Sequence, residues 1–150
     1  EKVLCPPFMA IPEVAKLVAG TELRLGAQDM YWQDSGAFTG EVSPLMVKEF
    51  CQYVIIGHSE RRQHFGETDE TVNRKIKAAL AHGLTPIVCV GESLDIRQAD
   101  QTEKWVVGQV KAALAGLTGA QVDGALVGGA SIKAADFVEI VRLAAKAKGV

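Results

Sequence analysis

A histidine at the end of an apolar strand is the most chemically informative feature of the chain. His58 follows the apolar run Tyr53–Ile56 and Gly57. The β-branched run predicts a buried parallel strand, and Ser59 and Glu60 favour the start of a helix. Proteins of the α/β class bind ligands at the carboxyl ends of their strands, and a helix start directs N–H groups and partial positive charge there. We therefore predict a neutral His58 imidazole that donates a hydrogen bond to a substrate oxygen, although a lone histidine is more often a structural one.

Charged residues near His58 allow structural and functional interpretations. Glu60 is either a first-turn acid that favours the helix dipole or an electrostatic or proton-relay support for His58. Glu92 follows another predicted strand, where the simplest interpretation is a solvated loop carboxylate. We predict structural roles for Arg61 and Arg62, which can pair with Glu67 or with a neighbouring subunit.

A glycine pair near the end of the chain is a candidate phosphate site. Gly128 and Gly129 stand in the segment Gly128-Gly129-Ala130-Ser131, after a predicted strand. Paired glycines often mark a plain turn. They also let the backbone approach an anion closely, and N–H groups of a following helix can hold a phosphate. We predict that Gly128 and Gly129 bind phosphate.

The elements that must position these residues alternate between strand and helix. The predicted strands are residues 2–5, 23–27, 53–57, 85–90 and 125–128. The predicted helices are residues 11–18, 44–53, 68–82, 101–114 and 135–148. This alternation predicts one α/β domain over residues 1–150, with a parallel sheet and right-handed crossovers.

Composition excludes several classes of function. The chain has 150 residues, a formal net charge of −2 and a pI near 5.9, which disfavours nucleic-acid binding. It contains no apolar run of about 18 residues, so no membrane span is expected. Cys5, Cys51 and Cys89 lie in apolar contexts without regular spacing, which predicts buried, reduced thiols and a cytoplasmic location. The three histidines lack the spacing of metal ligands, so we expect no metal.

The segment around His58 resembles the catalytic-histidine segment of the triosephosphate isomerase family. Other segments agree, in family order: Gly26-Ala27-Gln28-Asp29-Met30-Tyr31, Gly36-Ala37-Phe38-Thr39-Gly40-Glu41-Val42-Ser43, His64-Phe65-Gly66-Glu67, Cys89-Val90-Gly91-Glu92 and Gly124-Ala125-Leu126-Val127-Gly128-Gly129-Ala130-Ser131. The resemblance implies a (β/α)8 TIM barrel. Because such barrels need about 250 residues, the chain would represent about five β/α units, similar to strands 2–5 and 8 with their helices.

The resemblance also implies roles for individual residues. The family interconverts dihydroxyacetone phosphate and glyceraldehyde 3-phosphate in glycolysis and gluconeogenesis, without a cofactor. His58 would be the electrophile with Glu60 beside it, and Glu92 would meet the closed lid. Phe38 and Thr39 would lie in a loop that enters a second subunit of a homodimer.

Two family features have no counterpart in the sequence of residues 1–150. The first strand, with a substrate-binding Asn and Lys, would precede Glu1. The catalytic Glu and its lid would lie in about two β/α units absent near residues 120–123. The chain would therefore carry the electrophile without the base. The alternative is a non-catalytic partial barrel that acts as a scaffold or self-associating module, since unpaired sheet edges favour association.

Overall fold

The structure of the protein is a computed structural model, which describes residues 2–117 and Val138. The predicted strand at 125–128 and most of the predicted helix at 135–148 lie outside the described residues. Gly128 and Gly129 lie outside them as well.

Four parallel strands form one sheet in the described part of the chain. They are β1 (Lys2–Leu4), β2 (Leu23–Ala27), β3 (Tyr53–Ile56) and β4 (Thr85–Val88), in the order β1-β2-β3-β4. Because spatial order follows chain order, every crossover joins adjacent strands and all four carboxyl ends meet at one edge. The predicted α/β architecture with a parallel sheet is confirmed for these units.

Helices connect and cover the strands. They are α1 (Ile11–Val18), α2 (Pro44–Lys48), α3 (Ser59–His64), α4 (Asp69–Ala81), α5 (Leu94–Gln98) and α6 (Thr102–Ala113), with a 3-10 turn at Phe8–Ala10. Helix α4 packs against β3, β4 and α6, and α1 packs against β2. No helix within residues 2–117 is long and apolar enough to cross a bilayer.

The core lies between the sheet and α4. Alternate residues of β3, Val54 and Ile56, are fully buried, as the period of two in a strand requires. From α4, Val72, Ile76 and Ala79 meet them at helical spacing. This packing holds β3, and therefore the start of the His58 segment, in a fixed position.

The predicted helix at 44–53 is too long. Helix α2 ends at Lys48 and is followed by a turn, in which the N–H groups of Phe50 and Cys51 both donate to the Val47 carbonyl over 3.2 and 2.9 Å. Gln52 then joins the sheet, where its N–H donates to the Leu25 carbonyl over 3.0 Å. Pairing with β2 thus outweighs continuation of the helix.

Three strands are shorter than predicted. They end at Leu4, Ile56 and Val88 rather than at residues 5, 57 and 90. Gly57 leaves the strand because its φ is +79°, a left-handed conformation that glycine adopts without strain. Helix α5 and the 3-10 turn were not predicted, because elements of five and three residues are too short to show a hydrophobic period.

Capping residues fix the ends of α4. The Thr68 side chain accepts a hydrogen bond from the Thr71 N–H, and the Thr71 hydroxyl accepts one from the Thr68 N–H, over 3.3 and 2.9 Å. Gly83, just after His82, has a φ of +71° and ends the helix. The predicted start and end of this helix are confirmed.

Loss of the Thr68 cap provides a test of this arrangement. We expect Thr68→Ala to lower the free energy of unfolding by about 1 kcal/mol, because the substitution leaves a helix N–H without its acceptor. Ser93→Ala is the matched control, since Ser93 begins α5 without a side-chain capping bond. Urea denaturation should separate the two variants, and equal effects would contradict the assignment of the cap.

Candidate active site

The carboxyl edge of the sheet brings the candidate residues to one end of the fold. Gln28 and Asp29 follow β2, His58 follows β3, and Cys89 follows β4. The Gln28 side-chain amide donates to the Cys5 carbonyl over 2.9 Å, which joins the ends of β2 and β1. The predicted position of His58 at a strand end is confirmed.

His58 is the N-cap residue of α3, and its own ring serves as the cap. The Glu60 N–H donates to the His58 Nδ1 atom over 3.4 Å, and the imidazole is 39% exposed. A ring nitrogen that accepts a hydrogen bond carries no proton, so the neutral ring is protonated at Nε2. This arrangement leaves the Nε2–H group as the available donor. The predicted helix start at Ser59 is confirmed.

The Glu60 carboxylate offers a competing partner to the same nitrogen. Its Oε2 atom lies 3.7 Å from Nδ1, which is ion-pair distance but too long for a hydrogen bond. The carboxylate is 76% exposed, and water screens such a pair. We therefore infer that the hydrogen bond from the Glu60 backbone N–H, which is shorter and well aligned, determines the tautomer of the His58 ring.

Glu92, in the loop after β4, is held by one residue of α5 and one of α6. Its Oε1 atom accepts hydrogen bonds from Arg97 Nε over 2.7 Å and from the Thr102 hydroxyl over 3.3 Å. The hydrogen bond from Arg97, aided by a backbone hydrogen bond, lowers the pKa of Glu92 below its usual value. The side chain is 7% exposed, which favours a carboxylate bound by its neighbours over the alternative of a solvated one. Its predicted contact with a lid stays a prediction.

Three buried charged side chains, Asp29, Glu67 and Lys75, form a cluster beside the site together with the half-buried Arg61. We call this group the buried cluster. Lys75 Nζ lies 2.7 Å from Asp29 and 2.8 Å from Glu67, while Arg61 lies 2.9 and 3.2 Å from the same two carboxylates. The contacts to Glu67 are ion pairs without hydrogen-bond alignment. The predicted pairing of Arg61 with Glu67 is confirmed, whereas Asp29 and Lys75 were missed.

Burial has the largest effect on the pKa of Asp29. Burial raises the pKa of Asp29, against the hydrogen bond and charge of Lys75 and the charge of Arg61, which lower it. Desolvation of ions can exceed their mutual attraction in this way. The cluster joins the end of β2 to α3 and α4, so it supports the segment that carries His58.

The cysteines are packing residues. All three carry free thiols, with Cys51 and Cys89 buried and Cys5 half-buried. Burial raises the pKa of Cys51 and of Cys89 to about 11, which keeps these thiols protonated and poorly nucleophilic at neutral pH. The prediction of buried thiols is confirmed for Cys51 and Cys89, and in part for Cys5.

The loop between β2 and α2 folds back on itself. The ring of Tyr31 stacks on Trp32 at 4.0 Å and contacts Phe38 at 4.6 Å between centroids. Phe38 nevertheless stays 39% exposed at the loop centre, and Thr39 is exposed. The loop is therefore ordered by its own aromatic residues while presenting Phe38 and Thr39 to the outside.

A metal site is not evident among residues 2–117 and Val138. No group of three or more His, Cys, Asp or Glu side chains there lies close enough together to hold an ion.

His82, for which the sequence suggested no chemical role, lies at the end of α4. Its Nε2 atom lies 3.0 Å from Asp34, and its Nδ1 atom lies 2.8 Å from the Ala78 carbonyl.

Comparison with known proteins adds an independent observation. A family model described as triosephosphate isomerase matches residues 1–122. The chain belongs to the triosephosphate isomerase family. The parallel β/α units described above are accordingly part of a (β/α)8 barrel.

Three curated triosephosphate isomerases illustrate the likeness. The protein from Chloroflexus aurantiacus is 63% identical over 115 residues, which are 76% of this chain and 46% of that protein. The protein from Thermoanaerobacter sp. (strain X514) is 58% identical over 119 residues, covering 79% and 48%. The protein from Lactobacillus delbrueckii subsp. lactis is 55% identical over 123 residues, covering 81% and 49%. The chain thus spans about half the length of the curated relatives it matches.

Proposed function

We propose that the full-length protein interconverts dihydroxyacetone phosphate and D-glyceraldehyde 3-phosphate. The observation that supports this most is His58, a strand-end histidine whose Nδ1 accepts the Glu60 N–H over 3.4 Å. Membership of the triosephosphate isomerase family supports the same substrates. The reaction removes a proton next to a carbonyl and passes through an enediolate.

His58 acts as the electrophile in this proposal. Its Nε2–H donates to the substrate carbonyl oxygen and stabilises the negative charge that develops there. A donor fixed before the reaction needs no reorganisation in the transition state, which makes such stabilisation effective. A neutral histidine electrophile at a helix N-terminus is established chemistry of the triosephosphate isomerase family, and the proposal assigns that role to His58. Glu60 supports the ring through its backbone N–H, and an electrostatic or proton-relay role of its exposed carboxylate, 3.7 Å from Nδ1, stays a prediction.

The general base belongs to residues outside this sequence. A base must reach the proton that it removes. Glu67 is bound to Lys75 in the buried cluster, and Glu92 is bound to Arg97. Glu60 leaves from the same strand end as the electrophile, and Glu41 lies in the exposed loop. We propose a Glu on a mobile lid as the base, together with a Lys from a preceding strand.

The lid and the substrate complete the chemistry. A closed lid excludes water and prevents the enediolate from losing phosphate, with Glu92 as its contact on this chain. The substrate's own carbonyl acidifies the C–H bond, so the reaction requires no cofactor. The enzyme would work in glycolysis and gluconeogenesis in the cytoplasm, as a homodimer whose Phe38 and Thr39 enter the second subunit.

The phosphate group binds at Gly128 and Gly129 in this proposal. We expect Gly129→Asp to weaken the binding of phosphorylated substrates and of inorganic phosphate alike. The added carboxylate would repel the anion, and its bulk would keep the anion away from the backbone N–H groups. The KM for triose phosphate and the inhibition constant of phosphate measure the effect. Unchanged inhibition by phosphate would locate the anion site elsewhere.

A non-catalytic partial barrel is the second candidate function. In its favour, Leu94 of α5 and Trp105 of α6 are 67% and 46% exposed, and β4 has one neighbouring strand among those described. Such surfaces favour self-association.

Intact mass and activity of the native protein distinguish the two functions. The isomerase proposal predicts a mass near that of a barrel of about 250 residues and triose-phosphate isomerisation. A native mass of 16.0 kDa with self-association and no turnover would establish the scaffold instead. A native mass of 16.0 kDa with enzyme-like turnover would refute the external base and make Glu60 the first residue to substitute.

A further inference from the structure

One arginine holds both peptide groups that flank His58. The Arg62 backbone N–H donates to the His58 carbonyl over 3.1 Å, and the Arg61 N–H donates to the same carbonyl over 2.9 Å. The Arg62 side chain folds back, and its Nε donates to the Gly57 carbonyl over 2.9 Å. The Gly57 carbonyl belongs to the peptide group before His58, and the His58 carbonyl belongs to the one after it.

Holding these two carbonyls determines the backbone conformation of His58. Its φ and ψ are −55° and 141°, an extended conformation between the turn at Gly57 and the first residue of α3. The two flanking peptide planes fix φ and ψ, and these angles set the direction of the Cα–Cβ bond. The Glu60 N–H then fixes the orientation of the ring. The contribution specific to the Arg62 side chain is its bond to the Gly57 carbonyl, which holds the peptide group before His58 and is the contact that a substitution at Arg62 removes.

Arg62 is itself anchored by the next helix. Its Nη1 atom donates to Asp69 Oδ1 over 2.6 Å, and its side chain is 18% exposed. Asp69 is the first residue of α4, directly after the Thr68 cap. The guanidinium therefore joins the turn before His58 to a helix packed against β3 and β4.

The turn leaves little space for another arrangement. A Cβ added at Gly57 would lie 3.1 Å from Arg62 Nη2 and 3.0 Å from the Cys89 carbonyl oxygen. Arg62 Nη2 is buried and makes no hydrogen bond to the described residues. Burying a donor without a hydrogen-bond acceptor costs free energy of folding. The fold therefore keeps the Arg62 guanidinium beside His58 in spite of an unfavourable contribution to stability.

We propose that Arg62 is a positioning residue for His58, holding the imidazole where its Nε2–H meets the substrate oxygen. The kinetic part of this inference rests on the proposed isomerase function, whereas the conformational part does not. An arginine of purely structural importance would stabilise the fold without affecting the His58 ring. The two roles therefore differ in what a substitution does to His58.

Imidazole ¹⁵N spectra of the full-length protein, labelled at histidine, provide the decisive readout. His58 is assigned by the signal lost in His58→Gln. We expect wild-type His58 to show one neutral tautomer, with the proton at Nε2. Arg62→Gln should give a mixture of tautomers, lower kcat by roughly 10- to 100-fold and change KM much less, as displacement of a reacting group does.

Graded variants keep the test decisive if Arg62→Gln does not fold. Arg62→Lys retains the charge but cannot present a planar fork to two acceptors, so its kcat and spectrum should lie between those of wild type and Arg62→Gln. Asp69→Asn should give a smaller loss of the same kind. Arg74→Gln is the matched control, because it removes an exposed arginine paired with Glu70.

The outcomes separate this inference from the proposed function. A wild-type His58 spectrum in both Arg62→Gln and Arg62→Lys would overturn the inference, even if thermal stability fell. The Arg62→Lys variant by itself would overturn the inference if both its kcat and its His58 spectrum matched those of wild type. A protein without isomerase activity whose His58 spectrum still responds to Arg62 would refute the proposed function and retain the positioning role.

Discussion

His58→Gln should lower the turnover of the full-length protein by roughly 30- to 1,000-fold, equivalent to about 2–4 kcal/mol of transition-state stabilisation. The glutamine amide can reach similar space but lacks the preorganised Nε2–H that the Glu60 N–H contact leaves available. Because the lost interaction strengthens as charge develops on the substrate oxygen, kcat should fall far more than KM changes. Steady-state kinetics with either triose phosphate measures both quantities.

His64→Gln is the control for this substitution. His64 ends the same helix α3 and is exposed, so its loss tests the effect of removing a histidine from that helix without altering the strand end. Its kcat should stay within about twofold of wild type, as expected for a surface substitution. Near-normal turnover of His58→Gln would exclude His58 as the electrophile.

Lys75→Met should lower the free energy of unfolding by about 3–5 kcal/mol, the usual cost of removing one partner from a buried ion pair. The substitution leaves the Asp29 and Glu67 carboxylates buried with Arg61 as their remaining cation. Lys77→Met, two residues later on the exposed side of α4, is the matched control and should cost well under about 1 kcal/mol. Urea denaturation measures both, and equal effects would show that the cluster contributes no more than a surface lysine.

Substitution of Asp29 should lower the free energy of unfolding less than substitution of Lys75 in the same cluster. Because burial raises the pKa of Asp29 above the unfolded value, the stability that this carboxyl contributes at acid pH is lost as the pH rises through the folded-state pKa. Asp29→Asn removes this titration. We expect that variant to be much milder than Lys75→Met at neutral pH and to lack this part of the pH dependence of unfolding, which urea denaturation at a series of pH values measures.

The elements with a long hydrophobic period were predictable from sequence. Helix α4 was predicted over residues 68–82, because Ile76, Ala79 and neighbouring apolar residues form one side of a helix, and a threonine and a glycine mark its two ends. Helix α2 was predicted too long, since the bond between Gln52 and Leu25 that stops it joins residues far apart in sequence. Such pairing leaves no local signal.

The candidate site was predictable in type but not in its supports. The position of His58 followed from an apolar strand, a glycine and a helix start, all of which are local. The buried cluster depends on contacts between Asp29 and Lys75, which lie in different β/α units. Lys75 did carry one signal, because a lysine three residues after Val72 lies on the apolar side of α4.

The contacts of Arg62 were also not predictable from the sequence, although they join residues that are closer together in the chain. Its position four residues after His58 explains the backbone bond to the His58 carbonyl, which any helical residue there would make. The return of its side chain to Gly57 depends on Asp69, across the turn between α3 and α4. Arg61 and Arg62 are adjacent and of the same type, so the sequence alone could not indicate which side chain turns towards His58.

Hydrogen exchange into the substrate carbon tests the central claim most directly. The full-length protein is incubated with dihydroxyacetone phosphate in D₂O, and deuterium at the carbon next to the carbonyl is measured by NMR. We predict glyceraldehyde 3-phosphate that carries solvent deuterium at the carbon next to its aldehyde, which was the carbonyl carbon of dihydroxyacetone phosphate. Both its formation and its labelling should be reduced together in His58→Gln. Absence of turnover in the wild-type protein, or product formation and deuterium labelling at wild-type rates in His58→Gln, would contradict this account.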